Sequence, residues 1–258
     1  MVYNCRKYNY PAGSHVSIYT KSITRNEKDI DNSGKPKNEN FNRAYQNENR
    51  TSEAEEHCKN VSLSATKNRI YNIARSNTWE WFITLTFERN NTDASDYDMI
   101  TYRLHIFLNN LQKRKCPDMK YLIVPELHDD KENYHFHGLL SGVGNLRFCF
   151  SGLFDKKNGL PIFNILDWNY GFTTATQVQD SSRASSYITK YITKDTDLKL
   201  KNKKRYLCSR NIDRAEPEFY LLDEEQFLAD NAQDIIYANS VRIPAAHQGV
   251  NYYELKNV

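Results

Sequence analysis

The run Tyr134-His135-Phe136-His137-Gly138-Leu139-Leu140 sets two imidazoles two residues apart inside an apolar stretch. Side chains alternate across a β-strand, so His135 and His137 leave from one face while Phe136 turns to the other. Two neutral imidazoles side by side on a rigid strand can clamp a divalent metal ion. The preceding segment, Lys120 to Leu127, is a second predicted strand, and Asp129-Asp130-Lys131-Glu132-Asn133 reads as a hairpin-like turn between the two. That pairing would bring Glu126 next to the imidazoles. Glu126 is the expected third ligand, with His128 in the turn as its rival. Two nitrogens and one carboxylate, with open positions, suit Mg²⁺ or Mn²⁺ bridging to a phosphate oxygen.

The rest of the chain divides by composition. Tyr10 to Ile23 predicts a short strand or two around Val16, Ile18 and Tyr19. Residues 24–59 are rich in Asn, Glu, Lys and Arg, with almost no aliphatic side chains, which predicts a mobile linker. Ser62 to Arg75 is expected to be a helix. Trp81 to Phe87, aromatic and β-branched, reads as a buried strand. Ser95 and Asp98 suggest a capping box for a helix reaching Lys115, with Ile100, Leu104, Phe107, Leu108 and Leu111 on one face. Glycine-broken loops follow Gly144, then a strand at Thr173 to Val178, a helix carrying Tyr187 and Tyr191, and a final strand at Arg205 to Ser209. The segment Phe219 to Phe227 is read as a short helix. The order predicts an α+β fold on an antiparallel sheet. The expected organisation is an N-terminal extension over 1–60, a main domain over 61–214 and a C-terminal extension over 215–258.

Ser186 to Lys194 doubles a Tyr-x-x-Lys unit. On a helix Tyr187 and Tyr191 share a face, Lys190 and Lys194 flank it, and Ala184, Ile188 and Ile192 form the adjacent apolar stripe. Met alone, this is an amphipathic helix with solvated lysines. Following a metal clamp, it suggests phosphotyrosine chemistry, because a nearby ammonium favours the phenolate of a residue whose usual pKa is about 10. Between Ser181 and Arg214 ten Lys or Arg face three Asp or Glu. The cluster Lys199, Lys201, Lys203, Lys204 and Arg205 is the expected phosphate-backbone contact. The acidic stretch Glu216 to Asp234 reads as a solvated helix.

Five scattered cysteines, without a Cys-x-x-Cys pair, argue against a disulfide framework or a thiolate zinc site. No apolar segment approaches a membrane span, so a soluble, reduced, intracellular protein with no membrane partner is expected. No phosphate-binding Gly-x-x-x-x-Gly-Lys-Ser/Thr loop occurs, so the chain carries no recognisable nucleotide-hydrolysing motor.

With its three motifs in order, the chain resembles the HUH endonucleases, specifically rolling-circle replication initiators of small plasmids and single-stranded DNA phages. Phe82-Ile83-Thr84-Leu85-Thr86-Phe87 is similar to the first motif, His135-Phe136-His137 to the second, and Tyr187-Ile188-Thr189-Lys190-Tyr191-Ile192-Thr193-Lys194 to the third. The likeness spans about Ser62 to Arg214. It implies a central antiparallel sheet of about five strands with flanking helices, like RNA-recognition and ferredoxin-like folds. It implies nicking of single-stranded DNA or an origin hairpin through a covalent 5′-phosphotyrosine, with a free 3′-OH for a host polymerase in a bacterial cytoplasm. By the same resemblance His135, His137 and Glu126 hold the metal and Tyr187 and Tyr191 are nucleophile candidates. Lys190 and Lys194 match the lysines associated with those tyrosines. Tyr191 better fits the one-tyrosine form, with Tyr187 auxiliary. A two-tyrosine transposase or a mobilisation relaxase shares the clamp, and a non-catalytic single-strand binder would share the aromatics and basic charge.

Overall fold

A computed structural model describes residues 1–24, 52–192, 200, 203–243 and 248–256. The chain divides into two compact units, one of Met1–Val61 with Ala215–Val258 and one of Ser62–Arg214. Each is built on an antiparallel sheet, and the fold is α+β. Among the described residues no helix is long and apolar enough to cross a membrane.

The Ser62–Arg214 unit holds strands β3 (Trp81–Phe87), β4 (Lys120–Leu127), β5 (Tyr134–Ser141), β6 (Phe148–Phe154), β7 (Pro161–Ile165), β8 (Gly171–Gln177) and β9 (Leu207–Cys208). They form a seven-stranded sheet in the order β6-β7-β8-β3-β5-β4-β9. The expected sheet of about five strands is extended by the β6–β7 hairpin, which occupies the region read as glycine-broken loops. Its glycines explain why: Gly142 and Gly144 turn the chain with positive φ ahead of β6, and the register shift at Phe150/Leu153 absorbs Gly152 as an irregularity. The final strand is shorter than expected, at Leu207–Cys208.

Period-two alternation gives this sheet two apolar faces. Ile83, Leu85 and Phe87 of β3 point toward helix α2 (Tyr97–Arg114), whose Ile100, Leu104, Phe107, Leu108 and Leu111 are all buried against them. Burying each such side chain contributes roughly 1.5–3 kcal/mol before chain entropy is charged against it. The α2 cap is Asp96, whose carboxylate accepts from the Asp98 and Met99 amides, both at 3.1 Å. The expected capping box is therefore corrected: Ser95 instead donates to Asp93, which lies ahead of the helix. On the opposite face Phe82, Leu122, Val124 and Leu139 pack with Leu63, Ile70, Ile73 and Ala74 of α1 (Ser52–Arg75) and with Ile188 and Ile192. Helix α1 thus starts at Ser52, not Ser62, while the linker read over 24–59 falls outside the described residues from 25 to 51.

In the other unit, β1 (Val2–Tyr10) and β2 (Gly13–Thr24) join β10 (Glu218–Tyr220), β11 (Ile235–Ile243) and β12 (Gln248–Leu255) in the order β10-β1-β2-β12-β11. Helix α4 (Glu224–Asn231) places Phe227 against Cys5, Val16, Ile18, Tyr253 and Leu255 on one face. The short helix expected over Phe219 to Phe227 is a strand followed by this later-starting helix. Phe219 lies in the strand pairing with Arg6, and Asp223 caps the helix by accepting from the Gln226 amide.

Candidate metal and tyrosine site

Three neighbouring strands build the site. Glu126 of β4 sits opposite His135 of β5, and His135 is opposite Thr86 of β3. Two pairs further along, Val124, His137 and Thr84 form the next row on the same face. The register is fixed by the turn that follows β4, in which Asp130 accepts from the Glu132 and Asn133 amides and from Arg89. Those bonds hold its carboxyl well below the usual carboxylate range. Gly138 is required by packing, because a Cβ there would meet Ile123 Cγ1 at 2.9 Å and Ile83 Cγ1 at 3.2 Å.

His135 Nε2 and His137 Nε2 both lie 2.7 Å from Glu126 Oε2. One carboxylate oxygen can accept from two imidazole N–H groups, which assigns the Nε-protonated tautomer to both rings. His137 Nδ1 is then free to accept from the Thr84 hydroxyl, 3.1 Å away. Burial opposes ionisation of Glu126, but the bonds from His135 and His137 outweigh it and hold the carboxyl at about 2. Burial lowers the pKa of His137, favouring its neutral form. A neutral His137 beside an ionised Glu126 can ligate a metal once the Nε2 proton leaves or shifts to Nδ1. The three ligand atoms lie within 4.8 Å of one another, so two nitrogens and one oxygen fit a small divalent cation. The rival, His128, is not in this group; its ring stands edge-on to His135 with centroids 5.5 Å apart.

The tyrosines arrive from α3 (Ser181–Ile188), capped by Asp180, which accepts from the Ser182 and Arg183 amides. The α-helix ends at Ile188 and tightens into a 3₁₀ turn over Thr189–Tyr191. Ile188 and Ile192, both buried, anchor each side of that turn. Tyr187 therefore lies on the helix and Tyr191 on the turn, yet their rings meet edge-on with centroids 5.3 Å apart. Tyr191 stacks on His137 at 3.6 Å, while Phe82 touches both tyrosines from the sheet. Burial, a hydroxyl bond to Tyr187 and the Glu126 charge all raise the Tyr191 pKa, so the phenol is protonated at neutral pH. Lys190 Nζ lies 5.2 Å from the Tyr187 ring centroid. Lys194 is outside the described residues.

Of the predicted phosphate contacts, Lys199 and Lys201 also lie outside the described residues. Lys203 Nζ pairs with Asp98 at 2.9 Å, and Arg205 bonds Ser62 and Thr66 on α1. Those two cations tie the segment to neighbouring helices, while Lys204 is exposed. A groove of about 770 Å³ begins at Tyr187 and Tyr191 and runs past Thr84, Thr174 and Thr176 to Lys157 and Asn158 in the β6–β7 turn. Sequence reasoning missed it. The available signal was Thr174 and Thr176 alternating along β8, on the face where β3 presents Phe82 and Thr84.

Residues 80–196 match a family model described as replication-associated protein, of the ORF2 type. The matched span contains Glu126, His135, His137, Tyr187 and Tyr191, and its similarity is to replication proteins of the rolling-circle initiator type. No curated protein and no solved structure matches the chain.

Proposed function

We propose that this replication-associated chain is a rolling-circle initiator that nicks and rejoins single-stranded DNA at an origin through a covalent 5′-phosphotyrosine. The observation that carries this reading is Tyr191 stacked on His137, one of three side chains suited to hold a cation, with Tyr187 against it. The reacting unit is the domain over 61–214. Glu126, His135 and His137 would hold Mg²⁺ or Mn²⁺, which when bound polarises a phosphoryl oxygen and offsets developing charge. The Tyr191 oxygen bonds to phosphorus as its proton leaves. The bond from phosphorus to the 3′ oxygen breaks, and that oxygen takes up a proton. No oxidant or nucleotide is consumed, and the phosphotyrosine retains an ester bond for rejoining. Lys190, beside the Tyr187 ring, would add positive charge to the site. Lys194 would act similarly, and Lys199, Lys201, Lys203, Lys204 and Arg205 supply basic charge along the DNA path.

The freed 3′-OH primes a host polymerase, and a host helicase unwinds, both in the bacterial cytoplasm. The test combines the protein with Mn²⁺ and single-stranded DNA from its own replicon and seeks a protein–DNA adduct on a denaturing gel. Tyr191→Phe is expected to lose the adduct and Tyr187→Phe to keep it. An undiminished adduct in the double Phe variant ends this reading.

A further inference from the structure

The five-stranded sheet lies outside the family-matched segment, and its two faces differ sharply. One face carries Cys5, Val16, Ile18, Tyr253 and Leu255 into the core with Phe227. The other is set by the register rows Phe219–Arg6–Ser17–Tyr252 and Tyr8–His15–Glu254. Tyr19 projects from the same side as Ser17, two residues along β2. Tyr3, carried round by the irregularity between Tyr3 and Cys5, meets Tyr19 at 6.2 Å and Phe219 at 4.6 Å between ring centroids. His15 lies 5.7 Å from Tyr252. Four adjacent strands thus present half-buried rings on one surface.

A cation lies among them. Arg6 Cζ stands 5.5 Å from the Tyr8 ring centroid, and its buried Nε makes no hydrogen bond. At the centre Ser17 is only 1% exposed, and its Oγ also has no partner. Both polar atoms are therefore buried without being bonded. Core packing does not need tyrosine, histidine and arginine at these positions. Flat rings with a guanidinium between them offer base stacking together with phosphate attraction.

We infer that this face binds the unpaired bases of single-stranded nucleic acid, with Tyr8, Tyr19 and Tyr252 as stacking platforms and Arg6 drawing the phosphates. The site is independent of the nicking reaction. It gives the chain a second hold on a strand whose cleavage belongs to residues 61–214.

The experiment uses the full chain in EDTA, which suppresses metal-dependent cleavage, and reads the fluorescence anisotropy of labelled dT20 and rU20. Each ring contributes roughly fivefold or more to affinity, so Tyr19→Leu/Tyr252→Leu should weaken binding by about twenty-fivefold or more. Tyr19→Phe/Tyr252→Phe keeps the rings and should bind as wild type does. Loss with both probes supports a site for either nucleic acid, and loss with one alone identifies its sugar. Unchanged affinity in a folded Leu double variant overturns the inference and leaves the face to a protein partner. Should that variant not fold, photocrosslinking wild-type protein to an oligonucleotide containing 5-iodouracil decides. Adducts at Tyr8, Tyr19 or Tyr252 support the site, while adducts confined to 62–214 overturn it. Adduct formation with Mn²⁺ is scored separately, so failure here leaves the nicking proposal standing.

Discussion

In the seven-stranded sheet, the face bearing His135 and His137 is apolar at one end, under Ile70, Ile73, Ile188 and Ile192, and polar at the other. In the five-stranded sheet, one face carries polar and aromatic side chains around Ser17 and Val250, while Phe227 closes the opposite one. The first arrangement holds a few polar groups at the edge of an apolar core. The second spreads rings over a surface, which tolerates many strand positions and favours no reaction. Rigid burial suits bond breaking, and a broad ring surface suits holding.

The sharpest way to break this contrast is to remove the clamp alone. His135→Ala/His137→Ala should abolish nicking, a loss on the order of 1,000-fold or more for removal of two ligands together. Affinity for dT20 should stay within about threefold, because phosphate and stacking contacts lie elsewhere. Parallel loss of binding would collapse the two functions into one site. A subtler cut is Thr84→Val, which removes the hydroxyl bonded to His137 Nδ1 but keeps its shape. Apparent Mn²⁺ affinity, titrated through adduct yield, should fall roughly 10- to 100-fold. An unchanged titration would mean that the strand alone orients His137.

Packing offers the next comparison. Gly138→Ala forces a methyl group against Ile83 and Ile123 and should cost roughly 1–3 kcal/mol. All three tryptophans, Trp79, Trp81 and Trp168, lie in the Ser62–Arg214 unit, so thermal melting followed by tryptophan fluorescence reports that unit. A melting temperature equal to wild type would show that the sheet yields more easily than its contacts indicate. The smallest expected effect concerns acid. Burial opposes ionisation of Asp167, but bonds from Arg147 and Lys115 hold its carboxyl at about 2. A folded pKa below the unfolded value of about 3.9 contributes stability at neutral pH that is lost as pH falls through that interval. Asp167→Asn should lower stability at pH 7 by about 1 kcal/mol, discounted because Arg147 is exposed, and should flatten the acid decline between about pH 4 and 2. An equally steep decline in the variant would assign it to other groups.

Local periodicity made the clamp legible. Bounds for Lys120–Leu127 emerged from strand composition, and the short turn alone placed Glu126 beside His135. What escaped depended on distant partners. Strand β12 falls within the expected C-terminal extension and escaped because Val250, Tyr253 and Leu255 meet β2, more than two hundred residues earlier. The β6–β7 hairpin escaped because its glycines resemble loop punctuation, although they serve a turn and a register shift. The break between Tyr187 and Tyr191 is likewise decided by two isoleucines finding one core, which helical spacing alone does not encode.

The placement of β12 between β2 and β11 also sets a timetable for synthesis. Ser62–Arg214 leaves the ribosome complete while β1 and β2 still await their central neighbour. At about 5–20 residues per second, roughly two to eight seconds separate Arg214 from Leu255. Closing so long a loop adds little free energy per doubling of length, but it delays assembly. The seven-stranded sheet can therefore be finished first, while β2 carries an open edge that invites wrong partners until β12 arrives. A nascent chain stalled after Arg214 would contain every residue of the proposed cutting site and lack the strand that completes the ring surface.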